Sequence, residues 1–320
     1  MARRARSQGS KAGGIVLFLL GLFVGAGILY LLIKPSAPRG VDTEPPAPAR
    51  SEAPKAPRTA PHRKLPSDRL PSDHVEPETP AAVPAATETV TPAGPVHGAR
   101  IALVIDDLGH DVADLRPLEA LGVPVTYSVL PYEQQTSEVV AELRRRKAEI
   151  LLHLPMEPRN GENPGPGALL QGMSDGELRQ RTEEALKAVP GAVGVNNHMG
   201  SLLSSEQGPM TTVLGVLAER GLFFLDSRTS ADSVGYKVAL GLGVPAAERQ
   251  VFLDGEATPE AIHTQLQRLL ALARTRGAAI AIGHPHPETL AALTREVPKA
   301  KADGFEFVPV SYLLTKAGGE

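Results

Sequence analysis

The sequence predicts an α/β fold built on a parallel β-sheet, which forms either a closed barrel or an open doubly wound sheet. Three observations support this fold class. From about residue 99 onward, short β-rich segments alternate with helical patterns, most of the β-rich segments are almost continuously apolar, and about eight such units occupy some 220 residues. Helices cover both faces of a parallel sheet, so its strands lack the apolar–polar alternation of a half-exposed strand.

Eight segments are predicted as strands because each is short, rich in apolar or β-branched residues, and bounded by polar or turn-forming residues. In chain order they are RIALVID (100–106), PVTYSVL (124–130), EILLH (149–153), AVGVN (192–196), LFFLD (222–226), QVFLD (250–254), AAIAIGH (278–284) and FEFVPV (305–310). Helical patterns separate most of them, as parallel pairing requires.

Two of the segments between the strands carry clear helix start signals. One begins with a capping box, in which Ser174 and Glu177 bond each other's backbone N–H groups. The other has Thr258 as its predicted N-cap and Pro259 at the first helical position, and Gly277 ends it. Apolar residues recur on one face of this second helix, which is typical of an amphipathic helix.

The connection after the third predicted strand, residues 154–173, is too long for an ordinary βα loop. It is rich in proline and glycine, which favour turns over helix or strand. Long connections inside compact domains are usually functional, so this one is predicted to border a functional site.

The N-terminal part has a different character and predicts a membrane anchor. Residues 13–33 carry no charged side chain, and about 21 residues at roughly 1.5 Å each reach about 30 Å, the thickness of a bilayer core. Four basic residues within residues 1–12 favour a cytoplasmic N-terminus. We therefore predict a single-pass signal anchor over residues 13–34 in the inner, cytoplasmic membrane, with the remainder in the periplasm. The alternative is a cleaved signal peptide and a secreted protein.

Residues 35–97 are predicted to be a disordered linker rich in proline and alanine. The segment contains no Phe, Trp or Tyr, so it cannot bury enough apolar surface to offset the entropy of ordering. Proline keeps such a segment extended. We expect the linker to hold a folded domain, residues 98–320, away from the membrane.

Composition excludes several classes of site and partner. The chain has no cysteine, which excludes disulfides, thiolate metal sites and a cysteine nucleophile. Its 320 residues carry a net charge of −3 without a strongly basic region, so nucleic acid is not an expected partner. The sequence predicts no particular oligomeric state.

Polar side chains follow the predicted strands at one recurring position, the C-terminal end. These ends form one rim in parallel α/β folds, so the side chains are predicted to converge on one mouth. They are Asp106 and Asp107 at the first strand, His153 at the third, His198 two residues past the fourth, Asp226 at the fifth, Asp254 at the sixth and His284 at the seventh. Successive strand residues point to opposite faces, so Asp106 and Asp107 reach one site only where the pleat breaks.

This residue set predicts metal-assisted hydrolysis. Two neutral imidazoles and one carboxylate suit Zn²⁺ or a related divalent ion, and they leave positions open for water and substrate. A carboxylate that does not bind the metal can take a proton, and a histidine across the site can protonate the leaving group. Asp106 and Asp107 offer one carboxylate to bind the metal and one to take the proton.

Five sequence blocks carry a resemblance to a known family. VIDDLG, LLHLPMEP, GVNNHMGS, FFLDSRTS and IAIGHPHPETL resemble, in the same order, the signature blocks of the divergent polysaccharide deacetylases. These belong to the superfamily of metal-dependent carbohydrate deacetylases, and the resemblance covers roughly residues 98–315. It implies a distorted (β/α) barrel of about seven to eight parallel strands. It also implies an enzyme that removes an N- or O-acetyl group from a sugar.

The resemblance also implies residue roles. By the superfamily pattern, Asp106 resembles the general base and Asp107 resembles the metal-binding aspartate. His153 matches the first metal histidine, and His284 resembles the histidine that acts as general acid. The implied cofactor is a divalent metal, with Zn²⁺ preferred.

The second block departs from the family pattern at the third metal ligand. Where the family has a second histidine four residues after the first, this chain has Glu157. Either Glu157 replaces that histidine, or His198 supplies an imidazole from the next block. We favour His198, with Glu157 as the alternative.

The family's arginine–proline block, which lines the substrate pocket, is missing. The side chains expected to contact substrate instead are Asn196, Asn197, Asp226, Ser227, Arg228 and His286. Two of these have simpler interpretations: Asp226 can hold Arg228 or a helix N-terminus, and His286 starts the next helix. Asp254 is interpreted as a turn residue.

We therefore expect a membrane-anchored, periplasmic, metal-dependent hydrolase of the carbohydrate deacetylase type that acts on an acetylated glycan of the cell envelope. One alternative is a catalytically inactive protein of the same fold that binds a glycan or an envelope protein, and the altered second block favours it. Another is a metal-free glycosidase that uses two carboxylates, such as Asp107 and Glu157. The number of histidines on the rim argues against the glycosidase.

Overall fold

The computed structural model describes residues 98–315. The predicted membrane anchor, residues 13–34, and the predicted linker, residues 35–97, lie outside the described residues, so both stay predictions. Among the described helices, none combines the length and apolar character needed to cross a bilayer.

Nine strands form one sheet in which every ladder between strands is parallel. The strands are β1 (Arg100–Leu108), β2 (Thr126–Val129), β3 (Glu149–Met156), β4 (Gly194–Met199), β5 (Phe223–Asp226), β6 (Ala246–Glu248), β7 (Val251–Phe252), β8 (Ala278–Gly283) and β9 (Glu306–Phe307). Their order across the sheet is β6-β5-β4-β3-β2-β1-β8-β7, and β9 also pairs with β1. The predicted parallel α/β class is confirmed.

The sheet is curled, as the short connection between its two outer strands shows. Strand β6 ends at Glu248 and β7 begins at Val251. Three Cα–Cα steps of about 3.8 Å separate these residues, so the two edges of the sheet lie within about 11 Å of each other here. Among the described strands no ladder joins β6 to β7. Thr315 pairs with Ala246 at β6, and the result is a barrel-like sheet with an open seam.

Seven α-helices lie along the described chain. They are α1 (Leu115–Ala120), α2 (Thr136–Arg145), α3 (Asp175–Ala188), α4 (Gln207–Arg220), α5 (Gly235–Gly241), α6 (Pro259–Arg276) and α7 (Pro287–Ala302). The predicted capping box of Ser174 and Glu177 is present at the start of α3. Thr258 caps α6, and Gly277 ends it with a φ of 80°, in the left-handed region. Both predicted helices are therefore confirmed, with their caps.

Strand alternation divides the apolar residues between two clusters. Ile101 and Leu103 of β1 belong to the large cluster that also contains the buried residues of the helices. Ala102, which lies between them, faces the inside of the curl. The inner cluster consists of Ala102, Val104, Leu151, Phe223, Leu225, Ala247, Ile280, Ile282 and Val310. Every second residue counted from an inner residue along the same strand therefore also faces inward.

Strand β3 runs three residues farther than predicted, so His153 lies inside the strand rather than at its end. A proline such as Pro155 argues against continuing a strand, because it has no N–H to donate. The neighbouring strand β2, however, ends opposite Leu152. Beyond that point, Leu169 of the long connection pairs with Met156 instead, and its N–H donates to the Pro155 carbonyl.

Further strand predictions differ from the structure. Strands β7 and β9 have two residues each, fewer than the predicted segments 250–254 and 305–310. Strand β4 includes His198, which was expected two residues past its end. Strand β6 was not predicted, because its sequence AAE lacks the β-branched and aromatic residues that mark strands. It forms because it pairs with the otherwise free edge of β5.

Candidate active site

Strand alternation gathers inward-facing residues of β1, β3 and β4 at one mouth, together with His284, which directly follows β8. Asp106, His153 and His284 each stand two residues beyond an inner apolar residue of the same strand. Asn196 of β4 pairs in register with His153, and His198 lies two residues farther along the same strand. Asp106, His153, His198 and His284 therefore converge on one rim in the structure, as the sequence predicts.

Asp107 reaches the same mouth because the pleat of β1 breaks at this residue. Its φ is 56°, in the left-handed region, and the register between β1 and β2 shifts between Ile105 and Leu108. Such a backbone conformation costs a non-glycine residue roughly 1–3 kcal/mol. The break turns two consecutive carboxylates, Asp106 and Asp107, toward one site.

Three potential ligand atoms meet at the mouth. Asp107 Oδ1 lies 3.1 Å from His153 Nε2 and 2.9 Å from His198 Nδ1. The two nitrogens are themselves 3.1 Å apart. Asp107 Oδ1 is buried, yet it has no hydrogen-bond partner of acceptable geometry among the described residues. A buried carboxylate oxygen in this state is expected of a metal ligand, because a cation can replace the missing donor.

The donor set fits a divalent cation. Bonds of about 2.0–2.2 Å from nitrogen and oxygen to Zn²⁺ place neighbouring ligand atoms about 3 Å apart, which is the spacing of this triangle. One carboxylate oxygen and two imidazole nitrogens also form the mixed set that Zn²⁺ and related ions accept. The side chains able to hold the ion are therefore Asp107, His153 and His198.

Neighbouring charges shift the pKa values at this centre. Burial raises the pKa of Asp107, but the imidazoles of His153 and His198 outweigh burial and hold this pKa well below its usual range. Burial lowers the pKa of His153, but the charges of Asp106 and Asp107 outweigh it, so that pKa is raised. Asp107 is therefore in its ionised, metal-binding form, whereas an ion has to displace a proton from His153 at low pH.

Glu157, the alternative third ligand, lies outside this cluster. Its side chain accepts a hydrogen bond from the backbone N–H of Gln171. Its backbone carbonyl accepts hydrogen bonds from Leu202 and Leu203. Glu157 therefore ties the long connection, residues 154–173, to the segment that follows β4. The structure brings His198, and not Glu157, beside Asp107.

His284 stands on the other side of Asp107 and is held by Asp254. His284 Nδ1 lies 2.9 Å from Asp254 Oδ1, and the His284 backbone N–H donates to Asp254 Oδ2 at 2.7 Å. Thr289 Oγ1 donates to the same oxygen at 2.7 Å. Burial lowers the pKa of His284, but Asp254, and more weakly Asp107 and Asp106, outweigh it and raise this pKa to about 9. The free Nε2 lies 3.7 Å from Asp107 Oδ2, so a cationic imidazole faces the mouth.

Asp254 was interpreted as a turn residue, and the structure gives it a different role. Its side chain is fully buried, and both of its oxygens accept hydrogen bonds, from His284 and Thr289. The sequence did contain a signal for this role, because Asp254 ends the sixth predicted strand and so belongs to the same rim series as the other site residues.

Asn196 was expected to line the substrate pocket, but it lies beneath the mouth. Its side chain is fully buried, and its Nδ2 donates to both oxygens of Asp106, at 2.9 and 3.1 Å. Asp106 is itself buried and lies 3.6 Å from His153 Nε2. Ser227 is also buried, and its hydroxyl accepts a hydrogen bond from Asn196. Their depth follows from register, because a partner strand covers each side of β4 here.

Asn197 and Asp226 also differ from prediction, because both face away from the mouth. Each directly follows an inward-facing residue of its strand, so alternation turns it outward. Asn197 accepts a hydrogen bond from the backbone N–H of Ser227. Asp226 accepts hydrogen bonds from the backbone N–H groups of Arg228 and of Tyr236 in α5. Asp226 thus holds Arg228 and a helix N-terminus, which was the simpler of its two interpretations.

The remaining two predicted substrate contacts, Arg228 and His286, lie at the surface. The Arg228 guanidinium donates to backbone carbonyls of its own loop and lies 3.5 Å from Glu248. His286 precedes α7, with its ring centroid 5.5 Å from that of His284. With Asp254 and His284 it forms a second group of candidate ligands, but both Asp254 oxygens already accept hydrogen bonds.

A groove of about 190 Å³ opens beside the ligand triangle. Asp107 and His198 line one part of it, and Tyr132 and residues 163–166 line another. The structure therefore places the long connection beside the candidate site. Sequence reasoning missed Tyr132, which is 40% exposed. Its position in the loop after β2, at the same rim, was the available signal.

Comparison with known proteins shows similarity in sequence and in fold. A sequence profile described as divergent polysaccharide deacetylase matches residues 103–314. YibQ of Escherichia coli K12 is 35% identical over 222 residues, 69% of each chain. A protein of Haemophilus influenzae is 35% identical over 194 residues, 61% of this chain and 69% of that one. A crystal structure of a protein from Agrobacterium tumefaciens C58 shares 30% identity with a TM-score of 0.62, over 70% of this chain and 91% of that chain. The chain belongs to the divergent polysaccharide deacetylase family.

Proposed function

We propose that the protein is a metal-dependent hydrolase that removes acetyl groups from a carbohydrate of the cell envelope. The observation that carries this proposal is the buried Asp107 Oδ1, which lacks a hydrogen-bond donor of acceptable geometry and lies about 3 Å from two imidazole nitrogens. A separate carboxylate, Asp106, and a cationic histidine, His284, flank this centre. Membership of the family supports a deacetylase-like activity.

Asp106 acts as the general base in this proposal. A divalent ion held by the ligand triangle would polarise the acetyl carbonyl and lower the pKa of water at the site. Asp106 lies next to His153 without being part of the triangle. Its carboxylate is therefore free to take a proton from the attacking water.

His284 acts as the general acid. Its pKa of about 9 keeps the imidazole protonated at neutral pH. Asp254 holds Nδ1, so the proton on Nε2 faces the mouth. His284 can deliver that proton to the nitrogen or oxygen atom that leaves the acetyl group. The base thus lies beside one proposed ligand, His153, and the acid beside another, Asp107.

We further propose Zn²⁺ as the ion and an acetylated glycan of the cell envelope as the substrate. The uncharged residues 13–33 and the proline-rich residues 35–97 support a domain tethered in the periplasm. A reporter enzyme that is active only in the periplasm, fused to the C-terminus of the full chain, is expected to be active. An inactive fusion, with an active cytoplasmic reporter in its place, contradicts this localisation.

The metal content and acetate release of the purified full chain test the proposed activity. The wild type is expected to hold one divalent ion per chain and to release acetate from acetylated chitooligosaccharides or acetylated xylan. Asp107→Ala and His153→Ala should each lose the ion, whereas Asp106→Ala should keep the ion and lose acetate release. Asp111→Ala is the control, because this exposed carboxylate of the same rim caps a short 3₁₀ helix, Val112–Asp114.

Two outcomes contradict the proposal. A wild-type chain without any bound divalent ion removes the mechanism. An ion without acetate release from any acetylated glycan favours the non-catalytic alternative. The metal-free glycosidase has less support, because Glu157 accepts a hydrogen bond from Gln171 and is not among the side chains gathered around Asp107.

A further inference from the structure

The amide of Asn196 lies between the proposed base and a proposed metal ligand, and it contacts both. Its Nδ2 donates to the two oxygens of Asp106, at 2.9 and 3.1 Å. Its Oδ1 lies 2.9 Å from His153 Nδ1 and accepts a hydrogen bond from Ser128 Oγ at 2.6 Å. Asn196 and Ser128 are both fully buried, so these contacts are not exchanged for solvent.

The two ends of this amide have fixed roles. An ionised carboxylate can only accept hydrogen bonds, so Asp106 requires the NH₂ end of the amide. The carbonyl end therefore faces Ser128 and His153. A carbonyl oxygen can only accept, so His153 carries its proton on Nδ1. The lone pair of His153 is then on Nε2, the nitrogen that lies 3.1 Å from Asp107 Oδ1.

We infer that Asn196 is a positioning residue that sets the tautomer of His153 and the orientation of the Asp106 carboxylate with one side chain. This inference rests on the proposed function, because it takes His153 as a metal ligand and Asp106 as the base. A rotation of the amide that frees one of these residues also frees the other. The metal ligand and the base are therefore fixed together.

Asn197 provides a matched control for Asn196. It is the same residue type at the next position, and it is equally buried. Its amide bonds Ser227, Met199 and Thr229, and it contacts neither Asp106 nor His153. Asn197→Ala therefore removes the same groups from the same depth of the fold without touching the proposed site.

Two substitutions at position 196 distinguish the effect of the carbonyl end of the amide from that of its NH₂ end. Asn196→Ala removes both the acceptor for His153 and the donor to Asp106. Asn196→Asp keeps an acceptor for the His153 Nδ1 proton, but it replaces the neutral NH₂ donor to Asp106 with a second buried carboxyl group, which has to share a proton with Asp106. If Asn196 sets the tautomer of His153, the Asp variant keeps the metal affinity of the wild type and the Ala variant has a lower affinity.

The first experiment measures Zn²⁺ affinity of the full chain by competition with a chromophoric chelator. Loss of a hydrogen-bond partner behind a ligand typically costs 10–100-fold in metal affinity, so we expect a loss of about this size for Asn196→Ala. Asn196→Asp and Asn197→Ala should stay within about threefold of the wild type, since each keeps an acceptor for His153. A loss in Asn196→Ala no larger than in Asn197→Ala overturns the inference, and so does an equal loss in Asn196→Asp and Asn196→Ala.

The second experiment reads the tautomer directly, by ¹⁵N NMR of the histidine rings in metal-free protein at a pH where His153 is neutral. The wild type and Asn196→Asp should carry the proton on Nδ1, and Asn196→Ala should lose this preference. If the wild type binds no ion, the proposed function fails while this measurement still decides the inference. A proton on Nε2 in the wild type overturns it.

The third measurement concerns Asp106. A crystal structure of Asn196→Ala is expected to show the Asp106 carboxylate in a new orientation, because both oxygens have lost the donor that holds them. The carboxylate should keep its orientation in Asn197→Ala. An unmoved Asp106 in Asn196→Ala overturns the part of the inference that concerns the base.

Discussion

At the scale of single residues, the site depends on a mutual stabilisation of charge between Asp254 and His284. Burial alone raises the pKa of a carboxyl group and lowers that of an imidazole. Here the hydrogen-bonded contact at 2.9 Å outweighs burial in both partners, so the pKa of Asp254 is lowered and that of His284 is raised. The two shifts describe one interaction, which keeps His284 cationic at neutral pH.

Asp254→Asn should therefore lower the pKa of His284 from about 9 toward its ordinary value of 6.5. The imidazole would then lose its proton near neutral pH, and acetate release should decline at a lower pH than in the wild type. The ¹H NMR titration of His284 in metal-free protein measures the shift. Thr289→Val is the control, because it removes a bond to the same carboxylate and leaves the charge in place. A His284 pKa that stays near 9 in Asp254→Asn contradicts this account.

Residue type and strand position predicted most of the acidic and imidazole side chains that meet at the mouth, but Asp226, which was expected there too, faces away from it. They did not predict the depth of each side chain. Asn196 was expected at the pocket surface, but register with β3 places it beside His153 and under Asp106. Depth depends on how neighbouring strands pair, and a single strand sequence does not contain that information.

At the scale of elements, the long connection meets the β2–α2 loop at the groove. Gly167 has a φ of 76°, and a Cβ atom there would lie 2.8 Å from Tyr132 Cδ2. Gly165 has a φ of 95°, and a Cβ atom there would meet nothing within 4 Å. The long connection can therefore approach the Tyr132 ring only because residue 167 has no side chain.

Gly167→Ala should destabilise the chain more than Gly165→Ala does. Both substitutions place alanine at a left-handed φ, so the cost of backbone strain is common to the two. Only Gly167→Ala adds an overlap with the Tyr132 ring, and because this ring is 40% exposed and can move, we expect an added cost of about 1 kcal/mol, the lower end of what overpacking costs in a core. Urea unfolding of the two variants measures the difference in free energy of unfolding. Equal values for the two variants indicate that Tyr132 does not pack against residue 167.

Helix starts were predictable because a cap is a local device: Ser174 and Thr258 bond backbone groups only three residues away. Strand ends and weak strands were not. Strand β3 continues through Pro155 because β2 has already ended, and β6 exists because β5 offers it an edge. Both depend on partners that are distant in the sequence.

At the scale of the whole described domain, the curl of the sheet brings residues far apart in the chain to one centre. Asp107, His153 and His198 come from β1, β3 and β4, and their ligand atoms lie about 3 Å from one another. The seam between β6 and β7 has no ladder among the described strands, so it leaves this half of the sheet intact. An ion at the centre would link three strands of that half.

Binding of Zn²⁺ should therefore raise the melting temperature of the whole domain, and the rise identifies the third ligand. An ion at 100 times its Kd stabilises the folded form by about 2.7 kcal/mol, and a domain of this size gains about 2–4 °C per kcal/mol. We expect a rise of about 5–10 °C over the chelator-treated protein. His198→Ala should abolish the rise, whereas Glu157→Gln should keep it, because the Glu157 side chain bonds Gln171 rather than the centre. The opposite pattern, a rise lost in Glu157→Gln and kept in His198→Ala, would make Glu157 the third ligand and require the mouth to rearrange when the ion binds.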